Sequence, residues 1–236
     1  MESLLVYLQN IWHAMAGPGS AAISGVVAKG AQSMDMAQLL ALAAALGWAS
    51  GLRLYAVVFI TGLAGWLGWI QLPAGLAVLH HPAVLVASGF MLFVEFFTDK
   101  IPGLDSLWDV IHSVIRIPAG AALAAGVFGA DSATMGMAAG VLGGSLAATS
   151  FATKASTRAA VNTSPEPFSN IAVSLLEDGL VMGAMWLATQ HPLIFGVTLC
   201  VVLVISICLL VVMMKFLRAL LRRIRSWWGG DAFARA

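Results

Sequence analysis

The chain has 236 residues, of which 60% are hydrophobic and only 10% are charged, and its mean hydropathy is +0.93. A typical soluble domain has about 25% charged residues, so this composition excludes an ordinary water-soluble enzyme. The abundance of apolar residues excludes intrinsic disorder as well. The composition therefore predicts an integral membrane protein, with the lipid bilayer as its first partner and no nucleic-acid partner.

The first 35 residues precede the apolar part of the chain. Residues 1–15 carry an apolar stripe at helical spacing and lack the basic start of a signal peptide, which predicts an amphipathic helix at the membrane interface. Residues 16–35 are rich in Gly, Ala and Ser and are predicted to be a flexible linker.

Six apolar stretches match the length of a bilayer crossing, which takes about 20 residues per helix. They cover residues 37–69, 82–98, 113–130, 133–152, 168–190 and 193–215. The first is too long for a simple crossing, and two glycines and a charge within 47–53 predict a break there. Residues 99–112 predict a turn and a short polar helix. The predicted fold class is an all-α membrane protein with about six transmembrane helices and a broken first helix.

The two halves of the membrane region, 36–131 and 132–215, resemble each other. The first span of each has small residues four apart, a spacing that lets helices approach closely and that also allows a homo-oligomer through these faces. These residues are Ala43, Gly47 and Gly51 in one half and Gly136, Gly140 and Gly144 in the other. Three spans per half predict two inverted repeats, as in many secondary transporters. The alternative is a similarity of composition alone.

Lys and Arg are concentrated in alternate connections. The connections 70–81, 131–132 and 191–192 contain neither, whereas the tail, residues 216–236, is rich in arginine. By the positive-inside rule, this distribution predicts that both termini are cytoplasmic. The basic tail is predicted to lie along the anionic inner leaflet.

Thirteen charged or polar residues lie within or beside the spans, where a central charge costs about 2.5–3.5 kcal/mol. They are Arg53, Glu95, Asp99, Lys100, Asp105, Asp109, His112, Arg116, Lys154, Arg158, Asn162, Glu177 and Asp178. We predict that they form a pathway for a solute or ion. Glu95 and Glu177 occupy corresponding places in the two halves and are candidates for proton coupling. The alternative is that these charges pair with each other and only lock the bundle.

Two polar segments have further alternatives. Asp105, Asp109 and His112 share a helix face, and such ligands can hold a divalent cation, although internal ion pairs are the favoured interpretation. The stretch 154–170 is either an anion or lipid-phosphate site or an ordinary cytoplasmic loop. The motifs of zinc hydrolases, serine hydrolases and nucleotide-binding loops are absent from the sequence, so we expect neither enzyme activity nor a cofactor.

Four stretches resemble a known family. They are Trp48-Ala-Ser-Gly-Leu-Arg53, Asp99-Lys-Ile-Pro-Gly-Leu-Asp-Ser-Leu-Trp-Asp109 with Ile-His112, Arg116-Ile-Pro-Ala-Gly120, and Lys154 to Asn170 followed by Leu176-Glu-Asp178. Over about 36–215 the chain is similar to the bacterial integral-membrane proteins grouped as domain of unknown function 4126. The resemblance implies a polytopic helical protein of the bacterial inner (cytoplasmic) membrane and supplies no activity. It makes 154–170 as strong a candidate site as 99–116.

These features predict a protein that transports a small solute or ion between two inverted repeats, with proton coupling at Glu95 or Glu177. The segments 99–116 and 154–170 are expected to meet near the cytoplasmic side. Two alternatives are an ion channel of the same architecture and a non-transporting protein that binds lipid headgroups or acts as a scaffold.

Overall fold

The structure, a computed structural model, describes residues 34–101, 103–129, 132–162 and 167–229. In these ranges the chain forms α-helices and one short 3-10 helix and no strand, which confirms the all-α prediction. The helices are α1 (Met36–Trp66), α2 (Pro82–Thr98), α3 (Leu104–Phe128), α4 (Ala133–Val161), α5 (Pro167–Gln190) and α6 (Pro192–Gly229), with the 3-10 helix (Ala74–His80) before α2. The predicted interfacial helix and nearly all of the linker lie outside the described residues.

Length and hydropathy identify a multi-pass membrane protein. Five helices, all except α2, are long and apolar enough to cross a membrane. The 3-10 helix and α2, which are bent by 67° relative to each other, qualify together as a sixth span.

The helix starts follow local sequence signals. Proline, which lacks the amide hydrogen that a first helical residue leaves unbonded, is the first residue of α2, α5 and α6. Asp35 accepts a hydrogen bond from the Gln38 backbone amide before α1, and Ser132 accepts one from Met135 at the start of α4.

α1 breaks at Arg53, within the predicted break, and folds back on itself. Arg53 has φ −145° and ψ 82°, which divides α1 into α1a (36–52) and α1b (54–66). α1a passes along α5 in one direction and α1b returns along it in the other. Arg53 is bonded to Ser174, and three shared crevices are lined by Trp48 and Gly183, by Ala56 and Asp178, and by Ala64 and Trp186. α1 is therefore a helical hairpin with Arg53 at its tip, although its length would allow a crossing.

The direction of α1a bears on the predicted inverted repeats. A Cβ atom added at Gly47 would meet Gly143 of α4, and one at Gly51 would meet Ala147, so α1a and α4 run in parallel. The inverted-repeat prediction required the first helices of the two halves to run in opposite directions. The matched small-residue motifs therefore give that prediction no support.

Two predicted segment boundaries were wrong. α3 is one helix from Leu104 to Phe128, so the short polar helix and the third span are continuous, with Pro118 inside the helix. α4 continues to Val161, so Lys154 and Arg158 lie on a buried helix face rather than in a cytoplasmic loop. The polar side chains misled the prediction because they face other helices instead of water.

The hairpin determines at which end of the bundle the two ends of α1 lie. α2 to α6 alternate between two ends of the bundle. The charged end contains Asp99, Gly103 and the start of α5, and the opposite end contains Gly129, Ser132 and His191. The first and last residues of α1 both lie at the end of the bundle that is opposite the charged end, where Gly65 packs on Leu72 near the 3-10 helix. Met36 and the basic end of α6 therefore lie at opposite ends of the bundle; residues 1–33 lie outside the described part of the chain, so the cytoplasmic location of both termini stays a prediction.

A buried ion network as the candidate functional site

The charged end of the bundle contains a network of buried ions. Four cations, Arg53, Arg116, Lys154 and Arg158, each expose at most 2% of their surface. Six carboxylates surround them, and five of the six helices contribute at least one charge. The carboxylates are Glu95, Asp99, Asp105, Asp109, Glu177 and Asp178.

Lys154 lies at the centre of the network. Its Nζ is 3.1 Å from Asp99 Oδ2, 3.2 Å from Asp109 Oδ1 and 3.6 Å from Glu177 Oε2. It also donates a hydrogen bond of 3.1 Å to the Leu52 carbonyl. Leu52 directly precedes the break at Arg53, so Lys154 both joins three carboxylates and bonds the backbone at the tip of the hairpin.

Arg53, at the tip of α1, connects α1 to α5. Its Nε is 2.8 Å from Asp178 Oδ1, and its Nη2 donates to Ser174 Oγ at 2.7 Å. The same Nη2 is 3.2 Å from Asp99 Oδ2. The predicted mid-span cation is therefore paired with two carboxylates and a serine that follow it by more than 40 positions, although its Nη1 is buried without a hydrogen-bond partner among the described residues.

The other two arginines complete the network. Arg116 contacts Glu95 and lies 2.6 Å from Asp109, which joins α3 to α2. Arg158 contacts Glu177 at 2.8 Å and donates to Asn170 Oδ1 at 2.6 Å.

The two polar segments meet as predicted. The Asn162 side-chain amide donates to both carboxylate oxygens of Asp105, at 3.0 and 3.1 Å. Asp105 also accepts hydrogen bonds from the backbone amides of Gly103 and Ser106 at the start of α3. Gly103 has φ +85°, a conformation that glycine adopts without strain.

The network has two more carboxylates than cations. Three carboxylate oxygens, Glu95 Oε2, Asp99 Oδ1 and Asp109 Oδ2, are buried and have no hydrogen-bond partner among the described residues. Burial alone would raise the pKa of Asp99, which follows the last residue of α2, but Lys154, Arg53 and Arg158 outweigh burial and hold that pKa below its usual value. Buried donors of the network, among them Arg53 Nη1 and Arg116 Nε, also have no hydrogen-bond partner among the described residues. The site therefore has more carboxylates than cations, together with unused acceptors and donors.

His112 and Lys100 lie apart from the ion pairs. The His112 ring stacks on Trp108 with 3.9 Å between centroids, and its Nδ1 is 2.9 Å from the Trp108 carbonyl. In the described ranges no three His, Cys, Asp or Glu side chains are placed to hold a metal ion, so the structure does not assemble the proposed metal site of Asp105, Asp109 and His112. Lys100 Nζ lies over the Phe96 ring.

The structure thus brings eleven of the thirteen candidate residues into one network. Two buried members, Asn170 and Ser174, were missed as candidates. They precede Glu177 and Asp178 by helical spacings of seven and four residues, so one face of α5 carries all four residues. That periodicity was visible in the sequence and would have identified them.

The fold and the network define a multi-pass α-helical membrane protein with a charged interior. No curated protein and no solved structure matches the chain. Residues 40–212 match the family described as domain of unknown function DUF4126, which covers more than half of the chain. The protein belongs to that family, as its sequence motifs indicated.

Proposed function

We propose that the protein transports protons, or a solute coupled to protons, through the buried ion network. The observation that carries the proposal is the excess of two carboxylates in a network whose four cations are already paired. Protons balance this charge without a cage of ligands, because one carboxylate oxygen is enough to bind a proton. Glu95 and Asp109, each with an unpartnered buried oxygen, are the proposed carriers.

The energetics of buried ions support a functional role. Removing charges from water costs several kcal/mol per ion, and replacing a buried ion pair with apolar residues is often neutral or stabilising. Apolar residues would therefore hold the helices together at a lower cost in free energy than a network of ten ionisable side chains inside a membrane bundle. Intramembrane charges of this kind characterise proton and ion pathways.

We propose further that the charged end faces the cytoplasm. Lys215, Arg218, Arg222 and Arg223 lie on the part of α6 that extends from this end. Basic residues collect on the cytoplasmic side of bacterial inner-membrane proteins. The network then lies in the cytoplasmic half of the bundle, and the tip of the α1 hairpin reaches it from the other side.

Proton flux into proteoliposomes tests the proposal. Full-length protein would be reconstituted with a pH-sensitive dye inside the vesicles and subjected to a pH gradient, alone and with panels of cations, anions and small organic solutes. We expect a proton flux well above that of empty vesicles. Glu95→Gln keeps the shape of the side chain but has no carboxylate to bind a proton, so its flux should be at least tenfold lower. Arg222→Gln, at an exposed position, is the control and should leave the flux unchanged.

Two results would overturn the proposal. One is the absence of flux under every gradient from a protein shown to be folded by its thermal unfolding. The other is wild-type flux in Glu95→Gln and in Asp109→Asn. Either result would leave the lipid-binding or scaffold role as the better interpretation of the network.

A further inference from the structure

An apolar crevice lies beside the network, between α1b, α2 and α5. Its volume is about 590 Å³, and its lining includes Gly89, Phe93, Gly179 and Met182. Phe93 and Met182 are 62% and 56% exposed, so the crevice opens on the surface that faces lipid. One charged residue, Asp178, is part of the lining. The crevice therefore connects the membrane interior to the ion network.

A negative group lines the polar end of the crevice, and a positive group lies beside one of its lining residues. Asp178 is the most exposed of the six network carboxylates, with 20% of its side chain accessible. Its Oδ1 pairs with Arg53. Lys100 Nζ lies over the ring of Phe96, which lines the same crevice. The same Nζ donates a hydrogen bond of 3.0 Å to the Phe96 carbonyl, which holds the ammonium beside the crevice lining. A ligand that enters the crevice meets Asp178 directly and Lys100 at its margin.

We propose that this crevice binds a membrane phospholipid with a phosphoethanolamine head. The acyl chain lies between α2 and α5, where burial of apolar surface favours it. The head-group ammonium donates to Asp178, and Lys100 donates to the phosphate, so both ionic groups of the head gain charge-assisted hydrogen bonds. This binding does not depend on whether the network transports protons.

Charge complementarity selects this head over the alternatives. A phosphoglycerol head is anionic and has no ammonium, so it brings a negative charge towards Asp178 and leaves that carboxylate without a new partner. A simple long-chain amine can pair with Asp178 but leaves Lys100 without a phosphate. A head with both ions satisfies both residues.

Photo-crosslinking in vesicles tests the proposal on the full-length protein. The probe is a lysophosphatidylethanolamine with a diazirine in its acyl chain, in vesicles of phosphatidylcholine, and labelled residues are mapped by mass spectrometry. The matched probe is a lysophosphatidylglycerol with the same chain. We expect the ethanolamine probe to label the crevice surfaces of α2 and α5 at least about tenfold more than the glycerol probe, because one hydrogen bond to a charged group is worth a factor of ten or more.

Two glycines of α5 provide a matched pair of variants. Cβ atoms added at Gly179 or Gly183 meet no other atom within 4 Å, so both positions accept a larger side chain. Gly179 lines the proposed crevice, whereas Gly183 lines only a neighbouring apolar crevice against α6, to which Gly179 also contributes. Gly179→Leu should abolish the labelling, and Gly183→Leu should preserve it.

Changes at the two charged residues separate the ionic contacts. Asp178→Asn should reduce labelling by the ethanolamine probe about tenfold. Lys100→Gln, which lies outside the ion pairs, should reduce labelling by the ethanolamine probe to a similar degree. It should not affect labelling by a diazirine-bearing long-chain amine. This variant keeps the test valid if Asp178→Asn does not fold. Equal labelling by both lysolipids, or undiminished labelling of Gly179→Leu, would overturn the proposal and indicate nonspecific surface lipid.

Discussion

At the scale of single residues, the network ties stability to charge. Lys154 touches three carboxylates and the backbone of α1, and Arg158 joins α4 to α5 and to the start of α3. Removing one partner leaves the others charged and buried, which typically costs 3–5 kcal/mol. Removal of one cation is therefore expected to cost more stability than its ion pairs contribute in net terms.

Arg158→Leu illustrates this effect. It leaves Glu177 and Asp105 without their shared cation, so we expect the free energy of unfolding to fall by about 3–5 kcal/mol. Thermal unfolding in detergent, followed by circular dichroism, measures the change. Arg222→Leu, at an exposed position, should change it by no more than about 0.5 kcal/mol. Equal unfolding temperatures for the two variants would contradict the importance of the network to stability.

At the scale of helices, close backbone approach organises the packing. α1a lies against α4 where glycine faces glycine or alanine. Gly120 of α3 also packs on Ala147 of α4. Small residues four apart permit this approach. The contact places Leu52 and Trp48 close enough for Lys154 and Ser150 to bond their carbonyls, so the packing of small residues also positions the tip of the hairpin.

Gly51→Ala tests that contact. The new methyl group would collide with the Ala147 carbonyl and the Ser150 hydroxyl, and a backbone oxygen cannot move aside, so we expect a loss of about 1–3 kcal/mol. Chemical unfolding in mixed micelles measures it. Gly183→Ala, where the methyl group meets nothing, should instead stabilise its helix by about 0.5–1 kcal/mol. If both variants were stabilised, α1a and α4 would not be in backbone contact.

At the scale of the whole molecule, the hairpin sets the topology. Met36 begins α1, Trp69 follows its end, and both are exposed. Arg222 lies near the C-terminal end of α6. A folded-back α1 places the first two at one membrane face and the third at the other. A first helix that crossed the bilayer would instead separate Met36 from Trp69.

Single cysteines at these positions distinguish the two topologies. In a background with Cys200 and Cys208 replaced by alanine, Met36→Cys and Trp69→Cys should react with a membrane-impermeant maleimide from the same side of sealed vesicles. Arg222→Cys should react only from the other side. Labelling of Met36→Cys and Arg222→Cys from one common side would show that α1 crosses the membrane.

The sequence predicted the helical class, the break at Arg53 and the set of charged residues, because these depend on composition, spacing and local punctuation. It could not predict the direction of α1b, since a tilted crossing and a hairpin require the same number of apolar residues. The polar start of α3 was separated from the third span for a related reason. Asp105, Asp109 and Arg116 interrupt the apolar pattern of a span, and only their partners show that this part of the helix lies inside the bundle.

The position of Arg53 at the hairpin tip has a consequence for biosynthesis. Its partner Ser174 lies 121 residues later in the chain. At translation rates of about 5–20 residues per second, Arg53 is synthesised roughly 6–24 s before Ser174 and roughly 2–9 s before Asp99, its first charged partner in the chain. An unpaired arginine in lipid is unfavourable, so the tip must stay in contact with water or the insertion machinery until Asp99 has been made. Final docking of α1 is thus a late event, although α1 is the first described helix to be made.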